Sequence, residues 1–402
     1  MRKFNVLALS LIFLSCLGAP VSNGADAIKV GIVDTYTGPP TAFTYDVLDG
    51  FKLALGKINA KGGVLGRKIE FVTRDEKFKP DIGLAMAKEL VLKEEVDLLM
   101  GTINSATALA ISDFAQKEKI PFFVTFAKSD KIIGEKGHRY VFNMNENTLM
   151  SGRAGGTALA KKPFVKYWIA GDDYEYGHAI ADDVWNQLKK LKPGVQLMGQ
   201  TWWKVGEPDF TPYITAILNA KPEFVIVATG GGSMVPFQKA AKATGLNQKI
   251  PFYQHTAIEL STLAPQGFDG PEGVYGTANY LFYYPETPEN KAFVEEFRKA
   301  YKRDPKIGAL YGYSTAIFLE KGFVKAGKVD KEKLIDALEG MVIDSPVGNL
   351  ELRACDHQVA LPMYFGVTKK VPPYQFLIAS DIVTVPAKDF MPTCEEIKAL
   401  RK

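Results

Sequence analysis

Short β-rich apolar runs alternate with helix-patterned segments in two successive series, and this alternation constrains the chain most. The first series opens with "AIKVGIVD" (27–34), a continuous apolar run of the kind buried on both faces in a parallel sheet. In "DVLDGFKLALGKINAKGG" (46–63), Val47, Phe51, Leu55 and Ile58 recur at helical spacing and Gly62-Gly63 marks the stop. The order repeats through "KIEFVTRD", "PDIGLAMAKELVLKE", "VDLLMG", "ATALAISDFAQKE" and "IPFFVTF". A second series starts near residue 148 and runs through "VKYWIAGDD", "AIADDVWNQLKKL", "VQLMGQTWW", "FTPYITAILNA", "EFVIVATGGG", "VPFQKAAKATG" and "IPFYQH". Such alternation predicts an α/β fold, each series a doubly wound sheet with right-handed crossovers. From about 286 three helical patterns follow one another, and a β-rich tail occupies 341–385. At 402 residues the chain exceeds one ordinary core, in keeping with two units.

Residues 1–24 read differently. Met1-Arg2-Lys3 precedes "VLALSLIFLSCLGAP", an apolar stretch followed by small residues, which is the layout of a secretory signal peptide cleaved near Gly24 or Ala25. Phe13-Leu14-Ser15 before Cys16 match a lipidation motif poorly, so clean export to the periplasm is expected. That leaves Cys355 and Cys394, and an even pair in an exported protein points to a disulfide, with two free thiols as the alternative. The net charge of +4, without a basic tract interleaved with aromatics, speaks against nucleic acid as a partner.

Searches for catalytic patterns fail. No GxSxG, HExxH, CxxC or GxxxxGK[ST] motif occurs, and His138, His178, His255 and His357 lack metal-ligand spacing. Polar and aromatic residues recur instead where strands end: "DTYTGPPTAFTY", "GTINSAT" and "TFAKSD" in the first series, "GDDYEYGH", "ATGGGS" and "QHT" in the second. Ligands of open α/β sheets bind at such edges. In "DLLMGTINSATALA" (97–110), Asn104, Ser105 and Thr107 suit the capping of a helix. The same N-terminus also suits a carboxylate once a second lobe faces it.

"INAKGGVLGRKIEFVTRDEKFKPDIGLAMAKELV" (58–91), the Gly-x-x-x-Ser at 101–105, "YGHA" (176–179), "VGEPDFTPYITAI" (205–217) and "SPVGNLELRACDHQ" (345–358) together resemble the periplasmic solute-binding proteins of branched-chain amino-acid-type ABC transporters. The resemblance implies the type I periplasmic-binding-protein fold: two Rossmann-like lobes joined by three hinge crossings. It places lobe one at 26–146 and 277–345 and lobe two at 147–276 and 346–402, with crossings near 144–148, 274–278 and 343–352. It also implies a monomer without cofactor, metal or catalysis, which closes over a small-molecule ligand and docks on permease subunits in the inner membrane.

The family's ligand residues carry over unevenly. Ser105, with Asn104 and Ala106, matches the serine that holds a ligand carboxylate. Ala127 matches a backbone donor, and Lys128 and Ser129 stand near a carboxylate-binding threonine. Phe43 falls at an aromatic wall, with Tyr45 beside it, and Tyr176 matches the tyrosine that closes from lobe two. Gly230 replaces an aromatic, which implies a roomier pocket. Thr256, flanked by His255, stands where amino-acid binders place the acid that holds the ligand ammonium. A buried ammonium without a carboxylate partner is disfavoured. The expected ligand is therefore an aromatic or aliphatic acid lacking an α-amino group. The alternatives are a branched-chain amino acid, with Asp173, Glu175 or Glu259 as the substitute acid, and an exported ligand-sensing domain on the same fold.

Overall fold

A first sheet is built from β1 (Ile28–Asp34), β2 (Ile69–Asp75), β3 (Leu98–Gly101), β4 (Phe122–Val124) and β5 (Val141–Asn143), in the order β2-β1-β3-β4-β5. All of its pairings are parallel. The structure, a computed structural model, describes residues 27–401, so the leader expected over 1–24 and its Cys16 lie outside the described residues. Side chains of β1 divide between the faces as a pleated strand requires: Val30 and Ile32 enter one apolar core and Val33 the other. Burial on both faces explains why these strands read as unbroken apolar runs.

The second sheet contains β6 (Lys166–Asp172), β7 (Gln196–Trp203), β8 (Phe224–Ala228), β9 (Phe252–Gln254) and β10 (Val274–Ala278). A hairpin, β11 (Met341–Ser345) with β12 (Gly348–Leu352), precedes β13 (Met363–Lys369) and β14 (Ile378–Val385). The order is β14-β13-β10-β9-β8-β6-β7; β6 to β10 are parallel, whereas β13 and β14 join antiparallel. The β-rich tail thus completes this sheet, while Ile343 and Leu350 of the hairpin enter a core of the first.

The chain passes between the sheets at 144–147, 279–287 and 353–362. Helices Pro288–Tyr301, Ile307–Ala326 and Lys331–Leu338 return to the first sheet, with Phe297, Leu310, Phe318 and Leu334 in its core. Each such side chain contributes about 1.5–3 kcal/mol relative to exposure. Helix Ile307–Ala326 lies so close to helix Thr41–Ala60 that a Cβ on Gly312 would collide with the Val47 carbonyl.

The second series begins with a helix, Thr148–Ala160, where the sequence suggests only a strand at 165. Its "SGRAGG" segment weakens the helical signal, since glycine is a poor helix former. The reason for those glycines is packing. A Cβ on Gly152 would strike Asp183, and one on Gly156 would strike Val184, so they let helix Glu175–Leu191 approach. Asn147 starts the helix by accepting the Met150 N–H at 2.9 Å.

Candidate ligand-binding cleft

The carboxyl ends of both sheets border one cavity of about 400 Å³. Phe43 reaches it from helix Thr41–Ala60, Phe126 and Lys128 from the segment after β4, and Glu146 from the first crossing. From the other side come Tyr174 and Tyr176 after β6, Thr229 and Gly230 after β8, and His255, Thr256 and Glu259 after β9. Strands that end together bring residues more than 200 positions apart, such as Phe43 and His255, around one cavity, the placement expected of ligand sites in open α/β sheets.

The first wall is aromatic and cationic. Phe43 and Phe126 have ring centroids 5.4 Å apart, and Phe126 meets Tyr311 edge-on at 5.7 Å. Lys128 Nζ lies 4.7 Å from the Phe126 centroid and 5.3 Å from that of Tyr311, within cation–π range. It also forms an ion pair with the buried Glu146. Tyr311 Oη donates to the second oxygen of Glu146, and burial beside this carboxylate drives its phenol pKa well up.

The opposite wall is less charged. His255 Nδ1 lies 3.3 Å from Thr277 Oγ1, and burial, reinforced by Lys128, lowers the imidazole pKa to about 3, so it is neutral near pH 7. Thr256 adopts φ 62°, a left-handed conformation costly for a β-branched residue. Its hydroxyl is turned to Met234 Sδ at 3.7 Å. The Glu259 carboxyl accepts from Ser261 Oγ at 3.2 Å; burial, with the nearby charge of Glu146, raises its pKa to about 7 against the pull of Lys128. Tyr176 is also raised, chiefly by burial, and its ring centroid lies 6.0 Å from that of Tyr174.

Of the sequence-predicted residues, Phe43, Lys128, Tyr176, Gly230, His255 and Thr256 line the cavity. Asn104, Ser105, Ala106, Ala127 and Ser129 are absent from its lining and engage one another or the crossing instead. Asn104 Oδ1 caps helix Ser105–Glu118, accepting from Ala106 N at 2.9 Å and Thr107 N at 3.2 Å. Ser105 Oγ accepts from Ser129 N at 3.2 Å, and the Ala127 carbonyl accepts from Asn145 Nδ2 at 2.9 Å. The space at Gly230 is taken: a Cβ there would meet the Tyr174 hydroxyl. Sequence reasoning missed Phe126, Glu146 and Tyr174 as wall residues; "TFAKSD" and "GDDYEYGH" contain two of them, and Glu146 carried only the signal of its crossing. Cys355 and Cys394 are joined as a disulfide. Among the described residues no group of three His, Cys, Asp or Glu side chains could hold a metal ion, and no helix is long and apolar enough to cross a membrane.

Two facing α/β sheets around an aromatic cleft define a binding protein of the two-lobed type. Residues 27–371 match the family model for periplasmic binding proteins, and the chain belongs to this family, with the type I fold. It is similar to the leucine-, isoleucine-, valine-, threonine- and alanine-binding protein of Pseudomonas aeruginosa, at 27% identity over 83% of this chain and 87% of the relative. To the Leu/Ile/Val-binding protein of Escherichia coli it is 26% identical, over 84% of this chain and 90% of the relative. A solved ABC-type branched-chain amino acid transporter protein from Rhodopseudomonas palustris superposes with TM-score 0.78 at 26% identity, over 90% of this chain and 98% of that one. A solute-binding protein of the same organism, solved with benzoate, shares the fold at TM-score 0.73 and 24% identity, over 90% of this chain and 98% of that one. The chain is accordingly a solute-binding protein of the ABC-transporter class.

Proposed function

We propose that this protein captures a small zwitterionic solute of the amino-acid type, closes its two lobes over it by bending at the three crossings, and delivers it unaltered to membrane permease subunits from the periplasm. The observation that carries the ligand class is the charge balance of the cleft. Among the described residues its lining has one cation, Lys128, and two carboxyl groups, Glu146 and Glu259. Lys128 is paired with Glu146, while no ion pair joins Glu259 to a cation among the described residues. An ammonium group beside Glu259 would supply the missing partner and favour its ionised form. Lys128 would receive the ligand carboxylate, and its neighbour Ser129 is tied to Ser105 at the helix N-terminus. Phe43, Phe126, Tyr174 and Tyr176 suit an apolar side chain.

The second reading is an aromatic or aliphatic acid without an amino group. It is favoured by Thr256, an uncharged residue on the lining where the family resemblance calls for an acid. With its pKa raised to about 7, Glu259 can also stay protonated beside an anion. Calorimetric titration with L-leucine, L-valine, benzoate and 4-methylpentanoate separates the two. Binding of an amino acid with no response to the acids supports the first reading; the reverse establishes the second. Chemical conversion of any bound solute overturns the transport role. Bound ligand at 100 times Kd should also add about 2.7 kcal/mol to stability.

A further inference from the structure

We infer that Glu146 is a specificity-determining residue: it cancels the charge of the cleft's cation, Lys128, and so sets the site against ligands carrying a lone negative charge. The inference rests on the amino-acid reading above and adds to it the residue that enforces the choice.

The position of Glu146 is the first argument. It lies on the first crossing between the sheets, buried, with its carboxylate directed at Lys128 on the cavity wall. The second argument is how firmly it is held there. Tyr311, fully buried on helix Ile307–Ala326, donates to one oxygen while Lys128 donates to the other. Tyr311 Oη also lies 3.4 Å from Asn279 Oδ1 on the second crossing, and Asn279 Nδ2 donates to the Pro362 carbonyl on the third at 3.0 Å. A carboxylate fixed by two donors cannot swing away when a ligand arrives. Burying it has a cost that is acceptable only while Lys128 remains its partner.

The consequence follows from charge counting. A plain carboxylate ligand would share one ammonium with Glu146, which already cancels its charge, and nothing else on the lining would offset the added negative charge. A zwitterion adds no net charge, and its ammonium faces the acid that has no cationic partner among the described residues. Like-charge juxtaposition in a partly desolvated site is the form that negative selection against wrong ligands takes.

The test uses two probes with one hydrocarbon skeleton, L-leucine and 4-methylpentanoate, which differ by the ammonium group. Titration calorimetry on the exported full chain gives the ratio of their dissociation constants. Glu146→Gln removes the charge and keeps the shape. The expected result is that 4-methylpentanoate gains at least tenfold relative to leucine, whereas Glu146→Asp stays within threefold of the wild-type ratio. If Glu146→Gln does not fold, Tyr311→Phe carries the test; removing the phenol donor releases one of the two holds on the carboxylate and should shift the ratio in the same direction by a few-fold. An unchanged ratio, or an equal shift in Glu146→Asp, overturns the inference while the amino-acid reading stands. Wild-type protein that binds only 4-methylpentanoate, or neither probe, overturns the amino-acid reading and the inference with it.

Discussion

The Asn143 side-chain amide donates to Gln358 Oε1 at 2.8 Å, across a separation of 215 residues. Gln358 Nε2 in turn donates to the Asn145 carbonyl at 2.6 Å and the Val359 carbonyl at 3.0 Å. The first and third crossings are thereby joined side by side, an arrangement extended by the backbone bond from Val359 N to the Asn143 carbonyl at 2.9 Å.

Gln358→Ala should therefore destabilise the chain by about 1–3 kcal/mol, because it leaves the buried Asn143 amide and nearby carbonyls without their partner. Equilibrium urea unfolding measures the loss. A change within about 0.5 kcal/mol, that of a surface substitution, would mean that the crossings do not depend on this amide.

Ligand affinity should depend on pH through Glu259. Its carboxyl has a pKa of about 7 in the empty cleft, and a bound ammonium lowers it, so binding an amino acid expels a proton. Leucine affinity should rise from pH 5.5 to pH 8 and level off above 7, and Glu259→Gln should weaken binding and flatten the profile. A plain acid would give the opposite slope. Calorimetry in buffers of different ionisation enthalpy reads the proton release directly.

Stability should carry a pH signature from Asp34 at the end of β1. Its Oδ1 accepts from Thr35 N and Ile103 N, both at 2.9 Å, yet burial dominates and raises its pKa to about 7. The unfolded carboxyl titrates at about 3.9. Between these values the native chain holds a proton that the unfolded chain has released. The contribution of Asp34 is therefore greatest at low pH and is lost as pH rises through about 7. Asp34→Asn should be more stable relative to wild type at pH 8 than at pH 5, by about 1.4 kcal/mol for each pH unit crossed below the native pKa. Calorimetric unfolding of both proteins over that range gives the difference.

The disulfide fastens the final helix, Cys394–Leu400, across a separation of 39 residues. That helix has a capping box between Thr393 and Glu396, and Glu396 pairs with Arg153 at 3.2 Å. Arg401 donates to the Ile133 carbonyl at 2.6 Å and the Gly134 carbonyl at 3.1 Å, beside the first sheet. Replacing both cysteines by serine should cost about 2–4 kcal/mol. The melting temperature of the wild type should fall with a thiol reductant, and that of the double variant should not respond.

Much of the scaffold could be read from residues alone because burial on both faces leaves long apolar runs. "AIKVGIVD" and "EFVIVATGGG" are such cases; strand-end logic then pointed to "GDDYEYGH", "ATGGGS" and "QHT", and the family resemblance singled out Tyr176, Gly230, His255 and Thr256 within them. Helix Thr148–Ala160 was hidden by glycines whose purpose is contact with a later helix. Glu146 and Tyr311 were beyond local reasoning for a different cause. Their roles come from mutual proximity, and 165 positions separate them. The N-terminal group at Asn104 to Ala106 shows the converse: capping consumes two of the N–H groups that a carboxylate would use.

Because β13 and β14 add to β10 only after the helices of 288–338 have been laid on the other sheet, neither half is a continuous stretch of chain. During synthesis β10 must wait with a bare edge for partners that are the last strands made. A fragment ending near 340 would keep most of the residues of the second sheet and still expose that edge to pairing with other copies. The two halves cannot be expressed as separate pieces by a single cut, and no circular permutation makes either one contiguous, because their pieces alternate around the closed chain as well.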